Sequence, residues 1–152
     1  MFQAAGQRAG EARCLNAVGW FHLQLGDPET ALVYCQRALD LQRNIEDQFW
    51  QAETLDSIAG VYYKLGQYQE AVVHYLQALD RYRDFGDRNA EAEMQKCLGD
   101  TYLAAGESAS AGTAWHNALA ILDDLGHPDA AQVRVKLKTL GTLPETSRDG
   151  SR

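Results

Sequence analysis

The side chains with the most chemistry to offer in this 152-residue chain are His22, His74, His116 and His127, with Cys14, Cys35 and Cys97. A structural zinc site takes its ligands from close pairs, two to five residues apart, with a second pair further along. None of these seven residues stands in such a pair, so no metal is expected. The cysteines are odd in number and far apart, which fits a reducing cytoplasm better than a disulfide framework. No glycine-rich phosphate loop is present, because the glycines fall near the ends of periodic apolar stretches. Carboxylates are common, yet no spacing pairs two of them for acid–base work. An enzyme is not expected, nor a cofactor.

Charge narrows the partner classes. The formal net charge is −7. Residues 91–130 hold seven acids against the single base Lys96, while residues 131–152 hold five bases and two acids. An acidic body lacks the clustered Lys and Arg that displace counterions from a phosphate backbone, so direct nucleic-acid binding is disfavoured. Arg134, Lys136 and Lys138 form a small basic group that reads as a solvated face. No apolar run approaches the length of a membrane span, and no signal peptide is visible. A cytoplasmic protein is expected.

The elements that must position any site are set by a forty-residue period. With Glu11, Gln51 and Glu91 in register, blocks 11–50, 51–90 and 91–130 align without a gap. Gly26, Gly66 and Gly106 coincide, as do Ala31, Ala71 and Ala111, and then Ala38-Leu39, Ala78-Leu79 and Ala118-Leu119. Within the second block Leu55, Ile58, Ala59, Tyr62 and Leu65 recur at three- and four-residue steps, giving one apolar helical stripe. Gly66 ends that stripe, and a second one follows through Ala71, Tyr75, Ala78, Leu79 and Tyr82. The pattern predicts helices near 9–25, 28–45, 49–65, 68–85, 89–105, 108–125 and 128–141. Gly19, Ala59 and Gly99 are expected opposite Ala31, Ala71 and Ala111, where small residues let two helices cross closely. A lone helical hairpin leaves its apolar stripe exposed, whereas stacked hairpins bury it.

These residues resemble the tetratricopeptide repeat (TPR), whose pattern runs W-x2-L-G-x2-Y, A-x3-F, A and a closing P. The second block has Leu55-x2-Ile58-Ala59-x2-Tyr62, Ala71-x3-Tyr75 and Ala78. The third has Gln95-x2-Leu98-Gly99-x2-Tyr102, Ala111-x3-Trp115 and Ala118. The first has Leu15-x2-Val18-Gly19-x2-His22, Ala31-x3-Cys35 and Ala38, with His22 and Cys35 in two aromatic positions, where core packing is expected. The closing proline is absent; Arg43, Arg83 and Asp123 stand there, so the second helix is free to run on. HEAT and armadillo repeats share a period near forty but lack this order. The long variant resembles the C-terminal repeats of SARP-type (Streptomyces antibiotic regulatory protein) transcriptional regulators, in which a DNA-binding region precedes the repeats. Similar long repeats occur in animal polarity adaptors and kinesin light chains, and the Arg- and Ala-rich composition favours the bacterial group.

The resemblance implies an all-α, right-handed TPR solenoid of three helix-turn-helix repeats plus a C-terminal capping helix. The expected divisions are 1–10, the end of a preceding repeat or joint; 11–50, 51–90 and 91–130, the three repeats; 131–141, the capping helix; and 142–152, a disordered tail. The tail contains LPETS, Leu143–Ser147, similar to a sortase signal but without its following glycine and apolar anchor. Gly6–Ala12 copies the skeleton of the joint Gly86–Glu93, so the chain is expected to begin inside a longer array. In the TPR family the first helix of each pair lines a concave groove. Carried onto this sequence, the peptide-binding stripe is Arg13, Asn16, Trp20, Leu23 and Gln24; Glu53, Asp56, Tyr63 and Lys64; and Glu93, Lys96, Asp100 and Leu103. Trp20 and Tyr63 stand out as large aromatics on a polar face, which often anchor a partner. Trp50 stands in a joint where the other copies have Gly10, Ala90 and Ala130. The expected partner is a protein or peptide segment with apolar and basic side chains, including another domain of the same full-length protein. A carboxylate clamp for chaperone tails is disfavoured by the placement of lysines and asparagines. The alternatives are a structural oligomerisation element, or an adaptor domain of a signalling scaffold. Weak self-association is expected through Cys14, Ala17, Val18 and Phe21.

Overall fold

A computed structural model of the protein describes the backbone of residues 2–148 and the side chains of residues 3–141. It holds α1 (Phe2–Gln24), α2 (Pro28–Asn44), α3 (Gln48–Lys64), α4 (Tyr68–Phe85), α5 (Arg88–Ala104), α6 (Ser108–Leu125) and α7 (Ala130–Arg148), and no strand among the described residues. The chain divides into two compact units, Met1–Gly86 and Asp87–Arg152. In the first, α1 pairs with α2, α2 packs on α3, α3 pairs with α4, and α1 also touches α3. In the second, α5 pairs with α6 and α6 packs on α7.

Local chemistry explains where the helices start and stop. Asp27, Asp47 and Asp87 each cap a helix, accepting from the backbone N–H of Thr30, Trp50 and Ala90 at 3.2, 3.3 and 3.1 Å. Each satisfies a donor that the first turn leaves without a partner. The Thr30 hydrogen bonds hold the Asp27 carboxyl below its ordinary pKa. Positive φ recurs every twenty residues, at Gly26, Glu46, Gly66, Gly86, Gly106 and Gly126. At the first, Asp27 N–H donates to His22 O at 2.9 Å and Gly26 N–H to Leu23 O at 3.1 Å, closing the last turn of α1. Glu46, at φ 57°, is the single non-glycine in the series. A side chain in that left-handed region crowds its own backbone.

The stripes pack as the periodicity predicts. Ala31, Ala38, Ala52, Leu55, Ile58, Ala59, Ala71, Ala78, Ala111 and Ala118 are fully buried. A Cβ on Gly19 would stand 2.5 Å from Cys35 Sγ and 3.0 Å from Ala31 O. One on Gly99 would fall within the Trp115 indole. In the second unit Trp115, Ile121, Leu122, Ala130 and Val133 form the centre of a core that Tyr102, Leu119, Leu137 and Leu140 flank.

Two ends differ from the sequence pattern. The segment Gly6–Ala12, read as a joint after a preceding helix, lies inside the unbroken helix α1. Its counterpart pairs a left-handed Gly86 with the capping Asp87, but Gln7 stands at the capping position here. At the other end α7 begins at Ala130, after a turn at Pro128 and Asp129, and runs to Arg148. It therefore continues past 141 into the stretch expected to be disordered; residues 149–152 lie outside the described residues.

Candidate functional site

The first unit brings part of the expected stripe together around a cavity of about 400 Å³. Arg13, Asn16, Ala17 and Trp20 line it from α1, at the three- and four-residue steps that share a helical face. Glu53, Asp56 and Ser57 line it from α3, with Trp50 from the same helix's first turn and Gln42 from the end of α2. The Asp47 cap fixes the turn that carries Trp50. The Arg13 guanidinium lies over the Trp50 ring, 5.1 Å from its centroid. That distance is within cation–π range. Phe49 meets Trp50 edge-on at 5.4 Å and Phe85 at 5.5 Å, which braces the indole from outside. Trp20 remains 49% exposed.

Beneath the cavity the Cys35 thiol donates to Asn16 Oδ1 at 3.7 Å. Burial pushes that thiol up to about 11, so at neutral pH it keeps its proton and acts as a donor. Gln42 is 1% exposed, and neither its Nε2 nor its Oε1 has a hydrogen-bond partner among the described residues. Its backbone carbonyl is well used, accepting from Asp47 N–H at 2.9 Å and from Gln51 Nε2 at 3.4 Å.

Other expected groove residues lie elsewhere. Leu23 is buried in a cluster with Ala31 and Val61, so it serves the core and not the groove. A Cβ on Gly60 would make ordinary contact with it, 3.7 Å from Leu23 Cδ2. Gln24 and Lys64 are exposed. Tyr63 is half-buried and tilts against Tyr68 at 5.6 Å. In the second unit α7 engages the third set. Lys96 Nζ lies 3.0 Å from Glu93 and 3.1 Å from Asp129. Burial pulls the Lys96 pKa down, but its hydrogen bonds to the two carboxylates outweigh this and hold it above its ordinary value. Asp100 accepts from Trp115 Nε1 at 3.2 Å and from Lys136 Nζ at 2.7 Å. Leu103 borders a small apolar pocket of about 170 Å³ with Trp115 and Val135.

The histidines and cysteines do not gather: no group of three His, Cys, Asp or Glu suited to a metal is found among the described residues. His22 stacks on Tyr34 at 5.4 Å, with 6° between the planes. No described helix is long and apolar enough to cross a membrane. The stripe reading did not include Trp50 or Gln42. The internal repeat carries a signal for both, since Trp50 aligns with Ala90 and Ala130, and Gln42 with the buried Tyr82 and Leu122.

Comparison with known proteins agrees with this architecture. The sequence pattern of the tetratricopeptide repeat family matches residues 11–84. Among solved structures, apo RapI is similar with a TM-score of 0.81 and 17% identity, over 90% of this chain and 50% of that one. The TPR domain of Arabidopsis FLU gives 0.72 and 20%, over 77% and 98%. PcrH, solved in complex with the chaperone binding region of PopD, gives 0.71 and 18%, over 87% and 92%. The chain thus spans half the length of RapI. No curated protein matches it by sequence. At these identities the likeness is one of fold: all-α, built of TPR-type helical hairpins.

Proposed function

We propose that this chain is a non-catalytic protein-interaction module that takes a partner's peptide segment on the α1–α3 face of its first unit. The observation that carries this reading is the half-exposed Trp20 beside Trp50 at the rim of a preformed cavity. A large aromatic left on a polar face, next to a concave opening, supplies apolar burial to a partner. Glu53 and Asp56 outnumber Arg13 at the rim, which favours a segment with basic flanks through steering and register more than raw affinity. PcrH, a structure of similar fold, holds a region of another protein, which supports the class of ligand. As context we propose the regulatory C-terminal repeats of a larger cytoplasmic bacterial transcriptional regulator, with the partner segment in the same polypeptide or another. A DNA-binding region encoded in frame with this domain would support that context.

The test begins with peptides selected by display against the parent protein. Trp20→Ala should weaken the selected peptides by about 2 kcal/mol, as hot-spot truncations do, with an unchanged circular dichroism spectrum. Asp56→Lys should weaken basic peptides more in low salt than in high salt. Selected peptides that bind both variants as well as the parent would move the site off this face.

A specific observation favours oligomerisation as the second reading. At the end of α1 and in the turn that follows, Phe21 is 67% and Leu25 79% exposed. Their counterparts one repeat on, Val61 and Leu65, are buried and half-buried. That face of α1 is apolar and open, and a second copy of the chain would cover it.

A further inference from the structure

Two of the residues that depart from the internal repeat line the same cavity. Trp50 replaces an alanine, and Gln42 puts a carboxamide where the other copies bury Tyr82 and Leu122. A buried polar group without a partner is rare in folded proteins and calls for a cause. Leaving it unpaired costs stability that an apolar residue of the same shape would keep. Here the position is one that a tyrosine or leucine fills elsewhere in the same chain, so packing alone does not require an amide.

We propose that this cavity is a pocket for a primary carboxamide, the side chain of a glutamine or asparagine in the partner segment. The inference rests on the groove reading above and names what the groove recognises at its deepest point. Gln42 offers two N–H donors and one carbonyl acceptor. A cationic side chain brings donors alone and satisfies Oε1 but not Nε2. A carboxylate brings acceptors alone and does the reverse. A main-chain peptide group has both, but in the trans form its N–H and C=O point in opposite directions. A primary carboxamide carries donor and acceptor on one edge, so a single group pairs with both ends of Gln42. Both amide atoms of Gln42 are closed to solvent in the free protein, so an occupant must draw the amide toward the cavity, and the broad last torsion of a glutamine lets it turn at small cost. Trp20 and Trp50 give the flat ligand amide apolar walls, and Arg13 over Trp50 together with Glu53 and Asp56 keeps the charged groups at the lining near balance.

The test uses four peptides, acetyl-Leu-Xaa-Leu-N-methylamide with Xaa as Gln, Asn, Met or Glu, so that the Met and Glu peptides carry no primary carboxamide, titrated by NMR. The indole N–H signals of Trp20 and Trp50 and the side-chain amide signals of Gln42 report the site. The Gln or the Asn peptide should bind the parent at least tenfold tighter than the Met and Glu peptides, and which of the two wins identifies the side chain. In Gln42→Met that preference should vanish, while the free protein melts at a higher temperature because the unpaired amide is gone. Equal binding of Met and Gln peptides, with the indole signals shifting, overturns the carboxamide pocket and leaves the groove reading standing. Peptides that bind without moving either indole overturn both. No binding by any of the four, a preference that survives in Gln42→Met, or a lower melting temperature of that variant, each overturns the carboxamide pocket.

Discussion

Glu46 is the residue at which the fold works against local preference. Its φ of 57° occupies a turn that glycine holds at the other five positions of the series. Left-handed backbone costs an ordinary residue roughly 1–2 kcal/mol, against about 0.5–1 kcal/mol for the extra chain entropy that glycine loses on folding. Glu46→Gly is therefore expected to stabilise the first unit by about 0.5–1 kcal/mol, read as a rise in the urea midpoint; a fall would show that the carboxylate holds the turn. The cysteines divide by environment. Exposed Cys14 should react with a thiol reagent at neutral pH, while buried Cys35 stays unmodified until the protein unfolds. The folded-state pKa of Cys35 is raised from 9.0 to about 11, so its protonated form is the stabilised one. Its contribution is complete below pH 9 and is lost as the pH climbs through 11. Urea midpoints measured across that window should decline in the parent and decline less in Cys35→Ala.

At the scale of the helices, close crossings decide tolerance. Gly99 lets α5 approach Trp115 of α6 so nearly that a methyl group has no space. Gly99→Ala should destabilise by about 1–3 kcal/mol, the usual cost of overpacking, seen as a lower thermal midpoint. Ala59, the matching residue of α3, already has its methyl group and shows that the crossing accepts one where a tyrosine replaces the tryptophan. The number, order and most of the bounds of these helices were legible, because the apolar steps break at every turn, with a glycine at five of the six and a capping aspartate at three. Gly6 shares the glycine of the later joints but not their left-handed turn, and α1 runs through it. Leu23 fell on the expected groove stripe, and its burial with Ala31 and Val61 depends on contacts from α2 and α3 that spacing within α1 does not show. Trp50 and Gln42 were visible as departures from the other two copies, but departure alone does not say that two positions eight residues apart meet at one cavity; the α2–α3 turn does that.

For the molecule as a whole, α1 carries the surface most exposed to association. Cys14, Val18 and Phe21 fall on one face of it, with Leu25 in the turn that follows, and all four are exposed. Their counterparts Thr54, Ile58 and Val61 on α3, and Met94, Leu98 and Thr101 on α5, are buried. Sedimentation of the parent should show weak, concentration-dependent self-association that Phe21→Glu removes, and a strict monomer at high concentration would count against it. The even spacing of the turns, one in every twenty residues from Gly26 to Gly126, has a consequence for heredity. Each residue advances a helix by about 100°, so one codon inserted mid-helix swings every later side chain of that helix off its stripe. A coding sequence built this way changes length by gaining or losing whole units of forty codons, and it absorbs single-codon insertions only at the turns.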